Sequence, residues 1–387
     1  MELQSERTSS RTTALSISQG LLDRAPLRPS ATLNCAAYRG KSVLVSGAGG
    51  SIGSEICQQL LAHRPRVLVL FELNEFALYS VEAALRPHAA RAGCQIVPVL
   101  GSVGSGPLAD QVLRENAVQV VLHAAAYKHV PLVEANPLAG LSNNVIGTQV
   151  LARAADRHRV ERFVLISSDK AVRPGNVMGG TKRLAELVVQ DLAGRSVHTA
   201  FAIVRFGNVL GSSGSVVPLF QDQIRRGGPV TVTHPDIMRY FMTMEEAVHL
   251  VLMAGNMARG AEVFVLDMGK PVRILDLARR MITAAGYRPR DAHTPDGDIE
   301  IALTGLRPGE KMVEELTLSG ILSPTAHPKI FSAQEDGLSE VEIAIFLRSL
   351  HTAVDSGDRD SGLDLLRRWV EGYGPGNDTR PLATQVV

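Results

Sequence analysis

The run Ile166–Ser167–Ser168–Asp169–Lys170 sets a hydroxyl, a carboxyl and an amine side by side at the end of an apolar, β-branched stretch. In an open α/β sheet, strand ends near the point where the winding reverses line the ligand crevice. Groups presented together there can hydrogen-bond a reacting oxygen, give a proton and take one. Met178 follows nine residues after Asp169, and Lys182 four residues after that. Residues four apart share a helix face, so Met178 and Lys182 should point the same way. A lysine so placed can hold a ribose hydroxyl, and its charge lowers the pKa of a neighbouring reacting hydroxyl. Taken singly, Asp169 and Lys170 read as a solvated loop pair. Their place between a cofactor-binding strand and Lys182 reverses that reading.

The cofactor reading begins at residues 42–53, SVLVSGAGGSIG, where a buried strand runs into Gly47, Gly50 and Gly53. One glycine permits the tight turn, one lets the backbone approach a pyrophosphate, and one allows a helix to pack closely on the strand. The helix opening near Ser51 and Ile52 offers amide donors and a positive dipole end to the anion. Glu72 closes the second strand 19 residues after Gly53. A carboxylate there accepts hydrogen bonds from both adenosine ribose hydroxyls and repels a 2′-phosphate, so NAD is expected, with NADP as the alternative. The third strand ends in Leu100–Gly101–Ser102, a serine where related folds often place a carboxylate near adenine. The fourth runs into Ala124–Ala125–Ala126, small residues that let a strand end lie close to the cofactor.

Composition and pattern supply the frame. The chain has 387 residues, 45% hydrophobic and 20% charged, enough apolar material for a sizeable core. Forty Lys+Arg against 39 Asp+Glu leave a formal charge of +1, and no basic stripe carries interleaved aromatics, which argues against a nucleic-acid partner. No apolar run is long enough to span a bilayer and no secretory signal opens the chain. Cys35, Cys57 and Cys94 lack CxxC spacing and partnered histidines, so no metal is expected and a reducing cytoplasm fits. Strands are expected at Ser42–Ser46, Val67–Phe71, Gln95–Leu100, Val118–His123 and Phe163–Ser167. Helices are expected at Ile56–His63, Phe76–Leu85, Ala109–Glu115, Asn144–Asp156 and Thr181–Ala193. That alternation predicts an α/β fold, a Rossmann-type doubly wound parallel sheet with a smaller α/β substrate-binding C-terminal region.

The expected organisation is a mobile leader over 1–40, with a short helix around Leu15–Leu22, and order beginning at Lys41. A dinucleotide-binding domain follows over 41–205, with later segments returning to it. A substrate-binding region over 206–330 reads as an inserted lid, with helices at Val216–Arg226, Glu245–Met253 and Ile274–Ala285 and strands at Val230–Val232 and Val263–Asp267. C-terminal helices over 331–371 and a disordered tail over 372–387 complete the chain.

Seven ordered segments make residues 40–330 resemble the extended short-chain dehydrogenase/reductase superfamily. More narrowly, they resemble the bacterial polysaccharide-biosynthesis (CapD-type) UDP-N-acetylglucosamine 4,6-dehydratases. The segments are VLVSGAGGSIGSEI at 43–56, HAAAYKHVPLVE at 123–134, NNVIGT at 143–148 and ISSDKAVRPGNVMGGTKRLAE at 166–186. VRFGNVLGSSGSVVPLF at 204–220, VTHPDIMRYFMT at 232–243 and TGLRPGEK at 304–311 complete the set. Large members carry an N-terminal membrane-spanning region; with its short polar leader this chain resembles the soluble, cytoplasmic form and is expected to be a homo-oligomer.

The resemblance implies a three-stage reaction on a UDP-N-acetylhexosamine, for surface polysaccharide or glycan biosynthesis. A tightly bound, recycled cofactor takes a hydride from C4, water is lost across C5 and C6, and the hydride returns to C6. Lys170 becomes the base at C5, Asp169 the acid at the departing C6 hydroxyl and Ser168 a hydrogen-bond partner of the C4 oxygen. Met178 stands where most short-chain dehydrogenases place a tyrosine base, and methionine cannot accept a proton. The base for oxidation is then Asp169, Lys182 through water, or an ordered hydroxyl. Arg239 and Arg307 are expected on the pyrophosphate, Glu310 on ribose hydroxyls, Asn208 completing that site, and Lys128 on a phosphate or the sugar, with His129 beside it structural. A UDP-sugar 4-epimerase of the same superfamily and a non-catalytic NAD-binding protein are the competing readings.

Overall fold

The structure, a computed structural model, describes residues 36–291 and 294–374 and the backbone of 385–386. The expected leader helix near Leu15–Leu22 and most of the expected tail lie outside the described residues. The chain forms two compact units. The larger contains the described residues through Phe206, then Val248–Asp267 and the chain from Glu315; the smaller contains Gly207–Ala247 and Met268–Glu314.

In the larger unit, β1 (Ser42–Ser46), β2 (Val67–Glu72), β3 (Gln95–Leu100), β4 (Val120–His123), β5 (Arg162–Ile166) and β6 (Ala200–Arg205) are all parallel, in the order β3-β2-β1-β4-β5-β6. The order reverses between β1 and β4, which is where a doubly wound sheet opens its crevice. β1 and β4 are buried along their whole length, as strands covered by helices on both faces must be, and this is why they read as continuous apolar runs. Beyond β6 lies the parallel strand Glu262–Leu266, then Ile330–Ala333 antiparallel to it, and Ile321–Pro324 antiparallel to Ile330–Ala333. The strand expected at Val263–Asp267 in the substrate region therefore belongs to the main sheet. The fold is Rossmann-type.

Several helices start earlier or run further than periodicity suggests. Glu75–Ala92 extends well past Leu85, through Pro87, to a left-handed Gly93, with the Asn74 side chain accepting from the Ala77 N–H at its start. Val177–Arg195 starts four residues before Thr181, with Asn176 capping Gly179. The expected helix at Asn144–Asp156 is the last part of a longer one: Pro137–Leu141, a π-turn at Ser142–Ile146, then Gly147–Arg157. The C-terminal helices Glu340–Ser356 and Arg359–Trp369 share one core with these two, through Phe346, Leu350 and Leu366 on one side and Leu141, Leu184 and Val188 on the other. A Cβ at Gly180 would come within 2.8 Å of Leu366 Cδ2, so the two helices cross closely there.

The smaller unit packs helices Val216–Arg225 and Ile274–Ala284 with a parallel sheet of Pro289–Arg290, Ile299–Leu303 and Val230–Val232, around Phe220, Ile224, Val230, Ile282 and Ile299. Among the described residues, no helix is long and apolar enough to cross a membrane.

Two boundaries differ from the sequence reading: the substrate region expected through 330 ends at Glu314 and yields Val248–Asp267 to the larger unit, and the start of order shifts. Order begins before Lys41, because Tyr38 is fully buried and its hydroxyl donates to the Leu252 carbonyl at 2.8 Å. Apolar burial of the ring outweighs the polar composition of the leader around it. Tyr38→Phe should cost about 1 kcal/mol of stability, the usual net worth of a buried neutral hydrogen bond, measured by urea denaturation. An unchanged midpoint would place that hydroxyl in water.

Candidate active site

The glycine loop is shaped by contacts that exclude side chains. Gly47 has φ +65°, and a Cβ there would meet Ala125 Cα and N at 2.8 Å. A Cβ at Gly53 would come within 2.0 Å of the Gly47 carbonyl oxygen, so the helix Ser51–Ala62 rests directly on the turn. Gly50 caps that helix and has no side chain to close it, leaving the end shaped for an external anion. Two adjoining clefts meet here. One, of about 470 Å³, is lined by Gly47, Gly50, Ser51, Ile52, Gly53 and Lys128, among others. The other, of about 570 Å³, is lined by Glu72, Ser102 and Ala124–Ala126, together with Gly47 and Gly50.

Glu72 is bound into the loop itself. Oε2 accepts from the Gly49 N–H at 2.9 Å, and Oε1 accepts from Leu73 and Asn74 at 2.9 and 3.0 Å. Each carboxylate oxygen has two acceptor sites; with both on Oε1 filled, one remains on Oε2 for a ligand. Ser102 Oγ accepts from the Gly104 N–H at 3.2 Å. Lys128 reaches solvent, yet the cleft walls desolvate it enough to hold its pKa below the usual lysine range.

Beneath the Ala124–Ala126 strand end runs a chain of buried hydrogen bonds that sequence reading missed. Thr148 Oγ1 donates to the Asn144 carbonyl at 2.6 Å, so it must accept from His123 Nε2, 2.8 Å away. His123 Nδ1 then accepts from Ser46 Oγ at 2.6 Å, and Ser46 accepts from the Ala125 N–H at 3.3 Å. This fixes His123 as the neutral Nε2–H tautomer. Burial, helped by the charge of Lys182, lowers its pKa to about 3. Asn144, in the π-turn, accepts from the Tyr127 N–H and donates to both the Tyr127 carbonyl and Thr181 Oγ1, at 2.7, 3.0 and 2.9 Å. It thereby ties the strand extension to the residue before Lys182. The traceable signal was a histidine ending an otherwise apolar strand, followed by small residues.

Ser168, Asp169 and Lys170 are brought together as expected. Asp169, 1% exposed, accepts at Oδ1 from Ser168 Oγ at 2.9 Å and from Lys170 Nζ at 3.0 Å. The turn hangs from the end of β6, with the Asp169 N–H donating to the Phe206 carbonyl at 3.1 Å. Lys182 is buried and donates to the Ile166 carbonyl at 3.0 Å; burial lowers its pKa to about 8, against the opposing charge of Glu186. The Lys182 helix is fixed at its start by Glu134 Oε1, which accepts from the Val177 N–H at 2.6 Å. Met178 belongs to the main apolar core and lines neither of the two clefts, so its side chain packs.

Behind this turn lies a second missed feature, a buried charge cluster. Glu186 accepts from Ser167 Oγ at 2.6 Å, from Arg205 at 2.8 and 2.6 Å, and from Arg183 at 3.2 Å. Arg205 also donates to Glu335 at 2.8 Å, and Arg183 to the Asp336 carbonyl at 2.8 Å. Burial alone would raise the Glu186 pKa, but Arg205, Arg183 and Ser167 hold it below the usual carboxylate range. Its signal in the sequence is one arginine ending the apolar strand AFAIVR.

In the smaller unit, Arg239 is only 7% exposed. It donates to the Met238 and Met312 carbonyls at 2.7 and 3.3 Å and to Glu310 at 3.4 Å, with Glu314 at 3.9 Å. Glu310 also accepts from the Arg307 N–H at 3.1 Å, while the Arg307 side chain is exposed. Asn208 pairs beside the next strand, its N–H donating to the Tyr240 carbonyl. Among the described residues, no cluster of three or more His, Cys, Asp or Glu is arranged to hold a metal ion.

The sequence profile described as "Polysaccharide biosynthesis protein" matches residues 43–335. The capsular polysaccharide biosynthesis protein CapD of Staphylococcus aureus is 45% identical over 334 residues, covering 86% of this chain and 54% of that protein. The chain thus spans about half the length of that relative. A UDP-glucose 4-epimerase of Rickettsia canadensis is 30% identical, over 72% of this chain and 78% of its own. A UDP-N-acetylglucosamine 4,6-dehydratase (inverting) of Campylobacter jejuni is 28% identical, over 72% and 77%. Among solved structures, Pen from Bacillus thuringiensis superposes with a TM-score of 0.68 at 30% identity, over 81% of this chain and 98% of that one. A dTDP-glucose 4,6-dehydratase from Streptomyces venezuelae, solved with NAD, has a TM-score of 0.63 at 18% identity, over 84% and 99%, and shares the fold.

The His123 chain has a pH signature. The folded pKa near 3 lies below the ordinary 6.5, so the unfolded chain protonates first as pH falls. The stability this contributes is complete above pH 6.5 and is lost as pH drops toward 3, amounting to about 2 kcal/mol by pH 5. Denaturation at pH 7 and pH 5 should show a smaller difference in His123→Gln than in the parent chain; equal differences would mean that His123 carries a charge in the fold.

Proposed function

The chain belongs to the polysaccharide biosynthesis protein family, and we propose that it is a nucleotide-sugar 4,6-dehydratase acting on UDP-N-acetylglucosamine with NAD. The observation that carries this reading is the buried Asp169, bonded at one oxygen to both Ser168 and Lys170 at the end of β5.

The residues fit the dinucleotide. Gly47 and Gly53 stand where any Cβ would collide with backbone, and Gly50 leaves the helix end open for a pyrophosphate. Glu72, which lines the adjoining cleft, keeps an acceptor site for a ribose hydroxyl and opposes a 2′-phosphate, which favours NAD over NADP. Bound there, the nicotinamide supplies a hydride acceptor and donor for the sugar. The protein's own part is proton handling.

One proton moved along the 3.0 Å bond from Lys170 to Asp169 leaves a neutral amine and a protonated carboxyl. Those are the two forms that elimination needs. The amine takes the C5 proton, made acidic by a ketone at C4; the carboxyl gives its proton to the C6 hydroxyl, which leaves as water. Ser168 can hydrogen-bond the C4 oxygen. Lys182, with its lowered pKa, bears on the C4 hydroxyl proton in place of the missing tyrosine. For the diphosphate we assign Arg239 and Arg307, and for ribose Glu310. Arg239 is already held by two carbonyls and a carboxylate, which sets its guanidinium in place for an anion.

The second reading, a 4-epimerase, is favoured by the Rickettsia relative. It needs neither the amine at C5 nor the acid at C6. Incubating the chain with UDP-N-acetylglucosamine separates the readings: the product lacks one water if dehydration occurs, and keeps its mass with inverted C4 if epimerisation does. Lys170→Ala should lower dehydration by roughly 10²–10⁴-fold while NAD and UDP-sugar still bind; full turnover would remove it as the base. Arg239→Ala should raise KM roughly tenfold or more with kcat little changed, and an unchanged KM would take Arg239 out of the substrate site.

A further inference from the structure

We propose that Glu186, held between Arg205 and the Ser167 hydroxyl, is a positioning residue that sets the Ser168–Asp169–Lys170 turn. This rests on the reaction assigned above to that turn, although the placement itself can be measured without it.

Glu186 sits one helical turn beyond Lys182, on the same helix, and is fully buried. Its Oε1 accepts both the Ser167 hydroxyl at 2.6 Å and Arg205 Nε at 2.8 Å. Ser167 is the residue on which β5 gives way to the turn, and its N–H donates to the Val204 carbonyl at 2.8 Å. Arg205 is the last residue of β6, next to Phe206, whose carbonyl takes the Asp169 N–H. The turn is therefore hung from the end of β6 by two backbone bonds, and its first side chain is fixed by a carboxylate that the same strand end orients. The Lys182 helix carries that carboxylate, so both halves of the reaction centre register on one group.

Stability alone is a poor reason for such a cluster. Buried ion networks are often matched or bettered by apolar residues of similar volume. A group needed only to tie helix to sheet would, on removal, lower stability and leave the turn's geometry and the rate per folded molecule unchanged.

The discriminating variant is Ser167→Ala, which deletes one hydroxyl and leaves the Glu186–Arg205 pair intact. Amide exchange of the free, full-length chain should be about tenfold faster at residues 168–171, as expected for losing one buried hydrogen bond, with Tm lowered modestly and little change in exchange elsewhere. With UDP-N-acetylglucosamine, kcat should fall about tenfold while KM and the NAD Kd stay within about twofold, and Ser167→Thr should restore both rate and protection. In the double variant Ser167→Ala/Glu186→Gln the kcat losses should not add, since one acts through the other. Wild-type exchange at 168–171 in Ser167→Ala, or fully additive losses, would overturn the inference. A parent chain that neither dehydrates nor epimerises the sugar counts against the reaction alone, and the exchange result then decides the placement.

Discussion

A fully buried carboxylate, Glu186, is the point on which the junction of β5, β6 and the helix Val177–Arg195 depends. Its charge is tolerated in the interior because Arg205 meets it with two hydrogen bonds and Arg183 and Ser167 supply two more. Removing any one partner would leave buried charge or polarity uncompensated, so helix, β5 and β6 hold one mutual arrangement. Arg205 in turn needs Glu335, which brings the chain's C-terminal segment into the same cluster. A turn built on such a base moves only if the core beneath it moves.

The glycine-loop side is set by steric rather than electrostatic means. Gly47 and Gly53 allow three stretches of backbone to approach as closely as covalent geometry permits, and the small residues Ala124–Ala126 continue that contact. The neutral His123 keeps this wall polar in its bonding yet uncharged, next to a lysine whose own charge is weakened by burial. A protonated His123 beside Lys182 would put two positive charges in one desolvated space, and the Ser46–His123–Thr148 chain avoids this by using every donor and acceptor once.

How far the sequence could be read follows from how local each feature is. The glycine loop, the parallel strands and the Ser168–Asp169–Lys170 triplet are contiguous, so pattern and spacing expose them. Periodicity alone starts these helices at Phe76 and Thr181, whereas Asn74 and Asn176 begin them at Glu75 and Val177, and a cap is a single side chain with no periodicity. Glu186, Arg205 and Glu335 could not be paired beforehand: they lie 19 and 130 residues apart, and only the completed sheet makes them neighbours. Arg239 was legible as a candidate cation, but its burial among the Met238 and Met312 carbonyls and Glu310 was not, since those groups come from separate loops.

The 130-residue gap between Arg205 and Glu335 has a consequence for synthesis. A ribosome delivers β6 long before it reaches Glu335, and the strand Ile330–Ala333, which covers the edge at Glu262–Leu266, arrives only just ahead of that carboxylate. Until then the nascent sheet carries an open edge and a guanidinium in excess of its counter-charge. The whole of the smaller unit, which ends at Glu314, is translated during this interval. Its residues can therefore collapse into their own core while the larger unit still waits for the segment that neutralises and seals it.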